Sequence, residues 1–261
     1  MILDAIVAST IKRVAAAQEA IPLTEMLQRA FEMPAGNFRL EAALRGPDIS
    51  FICEVKKASP SKGVITEDFP YLDIAREYEA AGACAISVLT EPDFFQGSNR
   101  YLSEIRQQVK VPLLRKDFTV DEYQIYEAKV IGADAVLLIC ALLDTDTIRH
   151  YVEICNSLGL SALVEAHTAQ EVESAVAADA KIIGVNNRNL KTFEVHLETC
   201  AALHPLLPEG VLFVAESGIQ TAEDIAILRQ AGVDAVLIGE TLMRSNDKSA
   251  TLQRLRGEGT P

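Results

Sequence analysis

Eight short apolar runs, each followed by a helix-like stretch, constrain the fold of this 261-residue chain more than any other feature. Each run ends in polar residues, and the ends of consecutive runs lie 21 to 33 residues apart. This is the spacing of βα units in a parallel sheet. The predicted strands span residues 49–56, 84–89, 111–116, 135–139, 161–165, 182–186, 212–216 and 235–239.

The joints between these runs repeat as well. Three glycines stand where a helix should end just before a strand, namely Gly82, Gly132 and Gly232. Three threonines precede an acidic residue by three positions, as at a helix N-terminus, namely Thr119, Thr168 and Thr221. Eight such units favour a closed (β/α)8 TIM barrel, of the α/β class, over an open doubly wound sheet.

The first 46 residues have a different pattern, that of amphipathic helices. We expect a single domain over 1–261, with a helical extension (1–46), the barrel (48–245) and a C-terminal helix end and tail (246–261). A separate small helical domain is the alternative for the extension. If it packs on the barrel, we expect it at the open mouth rather than at the bottom or flank.

Composition limits the class of partner. The net charge is −13 and the pI is near 4.8, so there is no global positive field to attract nucleic acid or an anionic membrane. An anionic small molecule would need a local cationic cluster. The five cysteines are scattered without a CxxC pair, and the start lacks a signal-peptide pattern, so we expect a cytoplasmic protein. The four histidines show no ligand-like spacing, and we expect no metal site.

The segment 54–63 places an acid and an amine at the end of the first strand. Because strand side chains alternate, Glu54 and Lys56 point to one side, and Cys53 and Val55 to the other. Such charges are costly to bury unless they pair or have a function. A structural ion pair followed by an ordinary turn is the alternative to a functional site.

Polar side chains also end other strands of the predicted barrel. They include Lys116 after strand three, Glu165 after strand five, Asn186 and Arg188 after strand six, and Glu216 after strand seven. Active sites of such barrels lie at these carboxyl ends, so the pattern predicts a catalytic site there.

The loops after strands seven and eight carry Ser217-Gly218 and Gly239-Glu240. Barrel enzymes often bind phosphate at this position through backbone amides, and glycine allows close approach of an anion. The alternative is that these two loops are ordinary βα turns that bind no phosphate.

Several of these segments together resemble the indole-3-glycerol-phosphate synthase family of tryptophan biosynthesis. The similar segments are residues 54–63, 89–91, 95–98, 114–118, 185–190, 216–219 and 237–240. The resemblance implies a carboxy-lyase without a cofactor. Its substrate would be 1-(2-carboxyphenylamino)-1-deoxyribulose 5-phosphate, and its product indole-3-glycerol phosphate, formed with loss of carbon dioxide and water.

The resemblance also implies roles for individual residues. Lys116 would protonate the alkoxide in ring closure, and Glu165 and Lys56 would share the acid and base roles of dehydration, in either order. Glu54 and Asn186 would orient these groups. Substrate contacts are expected from Ser59, Phe95, Phe118, Leu137, Arg188, Glu216 and Leu237. Lys56, Ser217, Gly218, Gly239 and Glu240 are expected to hold the phosphate.

Two rival functions fit the same fold. A class I aldolase would use Lys116 or Lys56 as a Schiff-base amine. A catalytically silent phosphosugar-binding protein would keep the phosphate loops but would not need Glu54 or Glu165. For the enzyme we expect a monomer that binds a phosphorylated small molecule.

Overall fold

The structure, a computed structural model, describes residues 2–188 and 194–258. Eight parallel strands form a closed barrel in which each strand pairs with the next in sequence and the last pairs with the first. The strands are β1 (Ser50–Val55), β2 (Ala85–Leu89), β3 (Leu113–Lys116), β4 (Ala135–Ile139), β5 (Ser161–Ala166), β6 (Ile182–Asn186), β7 (Leu212–Glu216) and β8 (Ala235–Ile238). The closed barrel confirms the predicted fold class and excludes the open sheet.

Helices precede the barrel and follow its strands. They are α1 (Ile2–Ala20), α2 (Leu23–Glu32), α3 (Arg39–Leu44), α4 (Tyr71–Ala80), α5 (Asn99–Arg106), α6 (Tyr123–Val130), α7 (Thr145–Leu158), α8 (Ala169–Ala177), α9 (Glu198–Leu203), α10 (Ala222–Gln230), α11 (Glu240–Met243) and α12 (Lys248–Arg256). Among the described helices, none is long and apolar enough to cross a lipid bilayer. Of the predicted C-terminal segment, residues 259–261 lie outside the described part.

In several strands the inward-facing residues change from apolar to polar along the strand, whereas those of β4 (Ala135, Leu137 and Ile139) are all apolar. In β5, Leu163 belongs to the barrel's inner core and Glu165 lines the mouth. The same change separates Leu114 from Lys116 in β3. Because alternate residues of a strand share a face, the strand that fills the core also aims its last inward side chain into the mouth.

The N-terminal extension contacts the barrel in three places, not only at the mouth as predicted. The first turns of α1 line the mouth, whereas α2 packs against α6 on the flank. Helix α3 closes the opposite end, where its Leu40 and Leu44 join the inner core. The prediction did not consider that the apolar interior of the barrel is open at its amino-terminal end. A helix must shield this end from water, in addition to the helices that surround the barrel.

The joints follow the predicted chemistry with one exception. Gly82, Gly132 and Gly232 all have left-handed φ angles, as the predicted helix ends require. Thr168 and Thr221 cap α8 and α10 by accepting backbone N–H bonds, as their spacing predicts. The prediction that Thr119 caps α6 is wrong, because that helix begins at Tyr123. The buried Thr119 hydroxyl instead donates a hydrogen bond to the Leu137 carbonyl at 2.8 Å.

Candidate active site

A cavity of about 520 Å³ lies at the carboxyl ends of the strands. The candidate site residues named from the sequence all line it, and their individual roles remain predictions. The barrel strands contribute Glu54, Lys116, Leu137, Glu165, Asn186, Glu216 and Leu237, and the segments that follow them contribute Lys56, Ser59, Phe95, Phe118, Arg188, Ser217, Gly218, Gly239 and Glu240.

Lys116 lies between two buried carboxyl groups. Its Nζ is 3.3 Å from Glu165 Oε2 and 3.3 Å from Glu216 Oε2. Burial alone would lower the pKa of Lys116, but the charges of Glu216 and Glu165 outweigh it and raise that pKa above its ordinary value. The amine is therefore a cation at neutral pH, held at the floor of the cavity.

The two carboxyl groups differ in their surroundings. Burial would raise the pKa of Glu165, but Lys116, His167 and the Asn186 amide, which donates to Oε1 at 3.3 Å, together lower it. Burial, with Glu165 and Glu54 nearby, raises the pKa of Glu216 to about 7. Glu165 is thus an ionised base at neutral pH, whereas Glu216 is close to half-protonated.

Glu216 occupies space that a glycine leaves open. A Cβ on Gly184 of the adjacent strand β6 would overlap Glu216 Oε1. That oxygen is buried and has no hydrogen-bond partner among the described residues. A buried carboxyl oxygen without a hydrogen-bond partner lowers the stability of the fold. A carboxyl group kept at the cavity in spite of this cost is a candidate for binding or exchanging a proton.

Glu54 and Lys56 form the ion pair that their strand positions predict. Gly239 packs directly on this pair, because a Cβ there would overlap Glu54 Oε1 and lie 2.9 Å from Lys56 Nζ. The absence of a side chain at Gly239 therefore leaves room for the ion pair. The sequence pattern did not reveal this reason for the glycine. The buried Tyr78 hydroxyl supports the strand end by donating to the Glu54 carbonyl at 3.2 Å.

Two aromatic rings form one wall of the cavity. The centroids of Phe95 and Phe118 are 5.9 Å apart. The loop that carries Phe95 is organised by the buried carboxylate of Glu91, which accepts hydrogen bonds from the amides of Asp93, Phe94 and Phe95 at 2.8 to 3.0 Å. An apolar wall beside charged groups suits a substrate with an aromatic ring and polar ends.

The loops after β7 and β8 have an unusual backbone. Ser217 and Gly218 both have left-handed φ angles, of 67° and 83°. Such a conformation is strained for serine, and strain of this kind is often kept at ligand-binding loops. On the other loop, Glu240 is paired with Lys62 at 3.4 Å and Arg244 at 3.1 Å. Burial would raise the pKa of Glu240, but these two cations lower it.

Several lining residues escaped the sequence reasoning. Three come from α1, and two others are Asp117 and Arg244. Asp117 was quoted within the 114–118 segment without a role, and only the fold shows that its carboxylate is buried. The residues of α1 are Ile2, Leu3 and Ile6.

The chain is similar to known proteins along almost its whole length. Residues 3–255 match the family model described as indole-3-glycerol phosphate synthase. A protein of that name from Ruminiclostridium cellulolyticum is 57% identical over 258 residues, covering 98% of this chain and 99% of the relative. Another, from Endomicrobium trichonymphae, is 54% identical over 257 residues, covering 98% of this chain and all of the relative.

Solved structures with low sequence identity share the fold. A 3-hexulose-6-phosphate synthase superposes with a TM-score of 0.65 at 16% identity, covering 80% of this chain and 99% of its own. A thiamine phosphate pyrophosphorylase from Pyrococcus furiosus gives 0.60 at 19% identity, covering 84% of this chain and 96% of its own. These two support the barrel alone. The near-complete matches at more than half identity identify the family: the chain belongs to the indole-3-glycerol phosphate synthases.

Proposed function

We propose that this protein converts 1-(2-carboxyphenylamino)-1-deoxyribulose 5-phosphate to indole-3-glycerol phosphate, with release of carbon dioxide and water. The observation that carries the proposal is the position of Lys116, whose Nζ is 3.3 Å from both Glu165 and Glu216 at the floor of the cavity. Ring closure and dehydration need a general acid and a general base, and a protonated lysine beside an ionised carboxylate can supply both.

In the first step, the ring carbon that bears the carboxylate attacks the ketone carbon of the sugar. A carbon–carbon bond forms, and the electron pair of the carbonyl moves to oxygen. Lys116 donates its proton to that oxygen, so the alkoxide becomes a hydroxyl group. The raised pKa of Lys116 ensures that the proton is present at neutral pH.

In the second step, the carboxylate leaves as carbon dioxide and its electron pair restores the aromatic ring, which requires no base. Water is then eliminated. Lys56 protonates the departing hydroxyl group, while Glu165 takes a proton from the newly formed ring. The lowered pKa of Glu165 supports its role as the base, and the sequence alone had left this order open.

The two ends of the substrate are held by different parts of the mouth. The loops at Ser217-Gly218 and Gly239-Glu240 bind the phosphate through backbone amides, together with Lys56. Arg188 holds the carboxylate. The anthranilate ring lies against the wall formed by Phe95, Phe118 and Leu137, and Ser59 and Leu237 complete the contacts.

The aldolase reading is less compatible with this geometry. A Schiff-base lysine attacks as a neutral amine, which is usually obtained by a lowered pKa. Lys116 has a raised pKa and two carboxylate partners, so it is held in its protonated form. A silent phosphosugar-binding protein would not need a buried carboxyl group such as Glu165 beside Lys116.

The proposal also covers the domain organisation, oligomeric state, location and partners of the protein. We propose that residues 1–261 act as one domain and that the enzyme is a cytoplasmic monomer acting on a phosphorylated small molecule, with neither nucleic acid nor membrane as a partner. The net charge of −13 supports the last point.

The test is to mix the protein with the anthranilate-derived substrate and follow indole fluorescence and carbon dioxide release. The chain contains no tryptophan, so the background is low. We expect one carbon dioxide per indole formed and no covalent adduct after borohydride treatment. A borohydride-trapped lysine adduct without indole formation would instead establish an aldolase.

A further inference from the structure

His167 is a buried imidazole behind the cavity that the proposed steps do not use. It directly follows β5, and both of its ring nitrogens are shielded from solvent without a hydrogen-bond partner among the described residues. Its Nε2 is 3.5 Å from Glu165 Oε1, and its Nδ1 is 3.4 Å from Glu171 Oε2. The residue does not line the cavity, so any effect on the reaction passes through Glu165.

We propose that His167 is a positioning residue whose imidazolium, held between Glu165 and Glu171, keeps Glu165 ionised while Lys116 gives up its proton. This inference rests on the proposed function, because it concerns the proton balance of that reaction.

The position of the two carboxylates favours the doubly protonated ring. A neutral imidazole has one N–H donor and one lone pair, so one of its nitrogens would face a carboxylate oxygen without a proton. The imidazolium instead places a positive charge within ion-pair distance of both carboxylates. Glu171 is itself fixed, because its Oε2 accepts a 2.6 Å hydrogen bond from the His167 backbone N–H.

The groups around the ring are mainly acidic. Glu165 on β5, Glu171 on α8 and Glu216 on β7 all favour the cation. The Cys140 thiol after β4 lies beside the same carboxylates, and burial raises its pKa to about 12, so it stays neutral. Burial of His167 would lower its pKa, but the carboxylates outweigh this and raise it.

The need for a second cation follows from the first chemical step. Before ring closure, Lys116 and His167 both offset the burial of Glu165. When Lys116 transfers its proton to the substrate oxygen, it becomes neutral and its attraction for the carboxylate ends. A buried carboxylate without a cation would take up a proton and could not act as a base. With His167 as a cation, Glu165 remains ionised for the dehydration step.

The test compares His167→Gln with the control His150→Gln, which alters an exposed histidine 3.5 Å from Glu122. One nearby opposite charge shifts a carboxyl pKa by about 1–3 units. We therefore expect kcat of His167→Gln at pH 7 to fall at least about tenfold, with KM within about twofold of the parent value. Unchanged kcat would overturn the inference.

Two further readouts separate this role from a structural one. In His167→Gln the carboxyl group of Glu165 should titrate at higher pH, so the kcat of the variant should rise with pH toward that of the parent, and a deficit in kcat that does not depend on pH would overturn the inference. NMR titration with labelled histidine should show His167 titrating above the ordinary pKa near 6.5, and Glu171→Gln should lower that value. An ordinary or lowered pKa in the parent would contradict the proposal without any assay of activity.

Glu171→Gln keeps the proposal testable should His167→Gln fold poorly. The substitution Glu171→Gln should lower kcat when it is made in the parent protein. It should have little further effect in the His167→Gln variant, because both substitutions act on the ionisation of Glu165. Additive effects would overturn the inference. A parent that forms no indole would refute the proposed function instead, so the two failures are distinguishable.

Discussion

Arg13 of the N-terminal helix donates two hydrogen bonds to Asp117, at 2.7 and 3.1 Å. Asp117 directly follows Lys116 and is buried, and it also accepts a 2.6 Å hydrogen bond from the Thr90 hydroxyl. Burial would raise the pKa of Asp117, but Arg115 and Arg13 together lower it. The extension is thereby fastened to the strand end that carries the proposed general acid.

Arg13→Met should lower both stability and activity. It leaves a buried carboxylate with one cation fewer, which costs about 1–3 kcal/mol in free energy of unfolding. It should also reduce kcat/KM by loosening the strand end at Lys116. The control is Arg29→Met, which removes an exposed ion pair with Glu25 and should cost at most about 1 kcal/mol. If urea unfolding showed the same loss of free energy of unfolding for both variants, the Arg13–Asp117 contact would not fasten the extension to the barrel.

The extension should have separable roles at its two ends. Ile6 lines the mouth and Leu44 fills the barrel bottom. Ile6→Ala should raise KM, because it removes an apolar contact from the cavity. Leu44→Ala should lower the free energy of unfolding by about 2–5 kcal/mol and leave KM unchanged. Deletion of residues 1–46 should unfold the protein, since it removes both. A folded, merely slower truncation product would show that the bottom needs no cover.

Gly239→Ala should disturb the Glu54–Lys56 pair and the adjacent phosphate loop. The overlapping atoms are the ends of flexible side chains, so we expect little loss of stability but weaker binding of inorganic phosphate and a lower kcat. The control is Gly46→Ala, where the nearest atom would be 3.4 Å from the new Cβ. Isothermal titration with phosphate gives the comparison, and parent-like affinity in Gly239→Ala would show that this loop is a plain turn.

The fold was more predictable than the details of the site. Strand alternation predicted that Glu54 and Lys56 share a side, and helix-end glycines such as Gly232 marked the βα units correctly. The buried role of Thr119 and the contact of Gly239 with an ion pair depend on side chains brought together from distant segments. Gly218 shows the same limit. The sequence pattern linked it only to phosphate binding, but a Cβ there would overlap Val195, so a side chain at this position would also destabilise the loop.

Glu216 should make stability depend on pH in an unusual direction. Its pKa of about 7 in the folded protein lies above the ordinary value near 4.3, so the folded state binds the proton more tightly. The stabilisation from this proton is fully present below about pH 4.3 and is lost as pH rises through about 7. Urea unfolding of the parent and Glu216→Gln should therefore show the variant gaining stability relative to the parent across this range. A constant difference would mean that Glu216 titrates normally.

The most direct test of the account is single-turnover ring closure by Lys116→Met, followed by indole fluorescence. Methionine keeps the apolar stem but has no proton to donate to the developing alkoxide. Loss of a general acid typically slows the chemical step by about 10²–10⁴-fold. We expect at least that decrease in a variant that remains folded by circular dichroism. A single-turnover rate close to that of the parent would contradict the assignment of Lys116 as the acid that closes the ring.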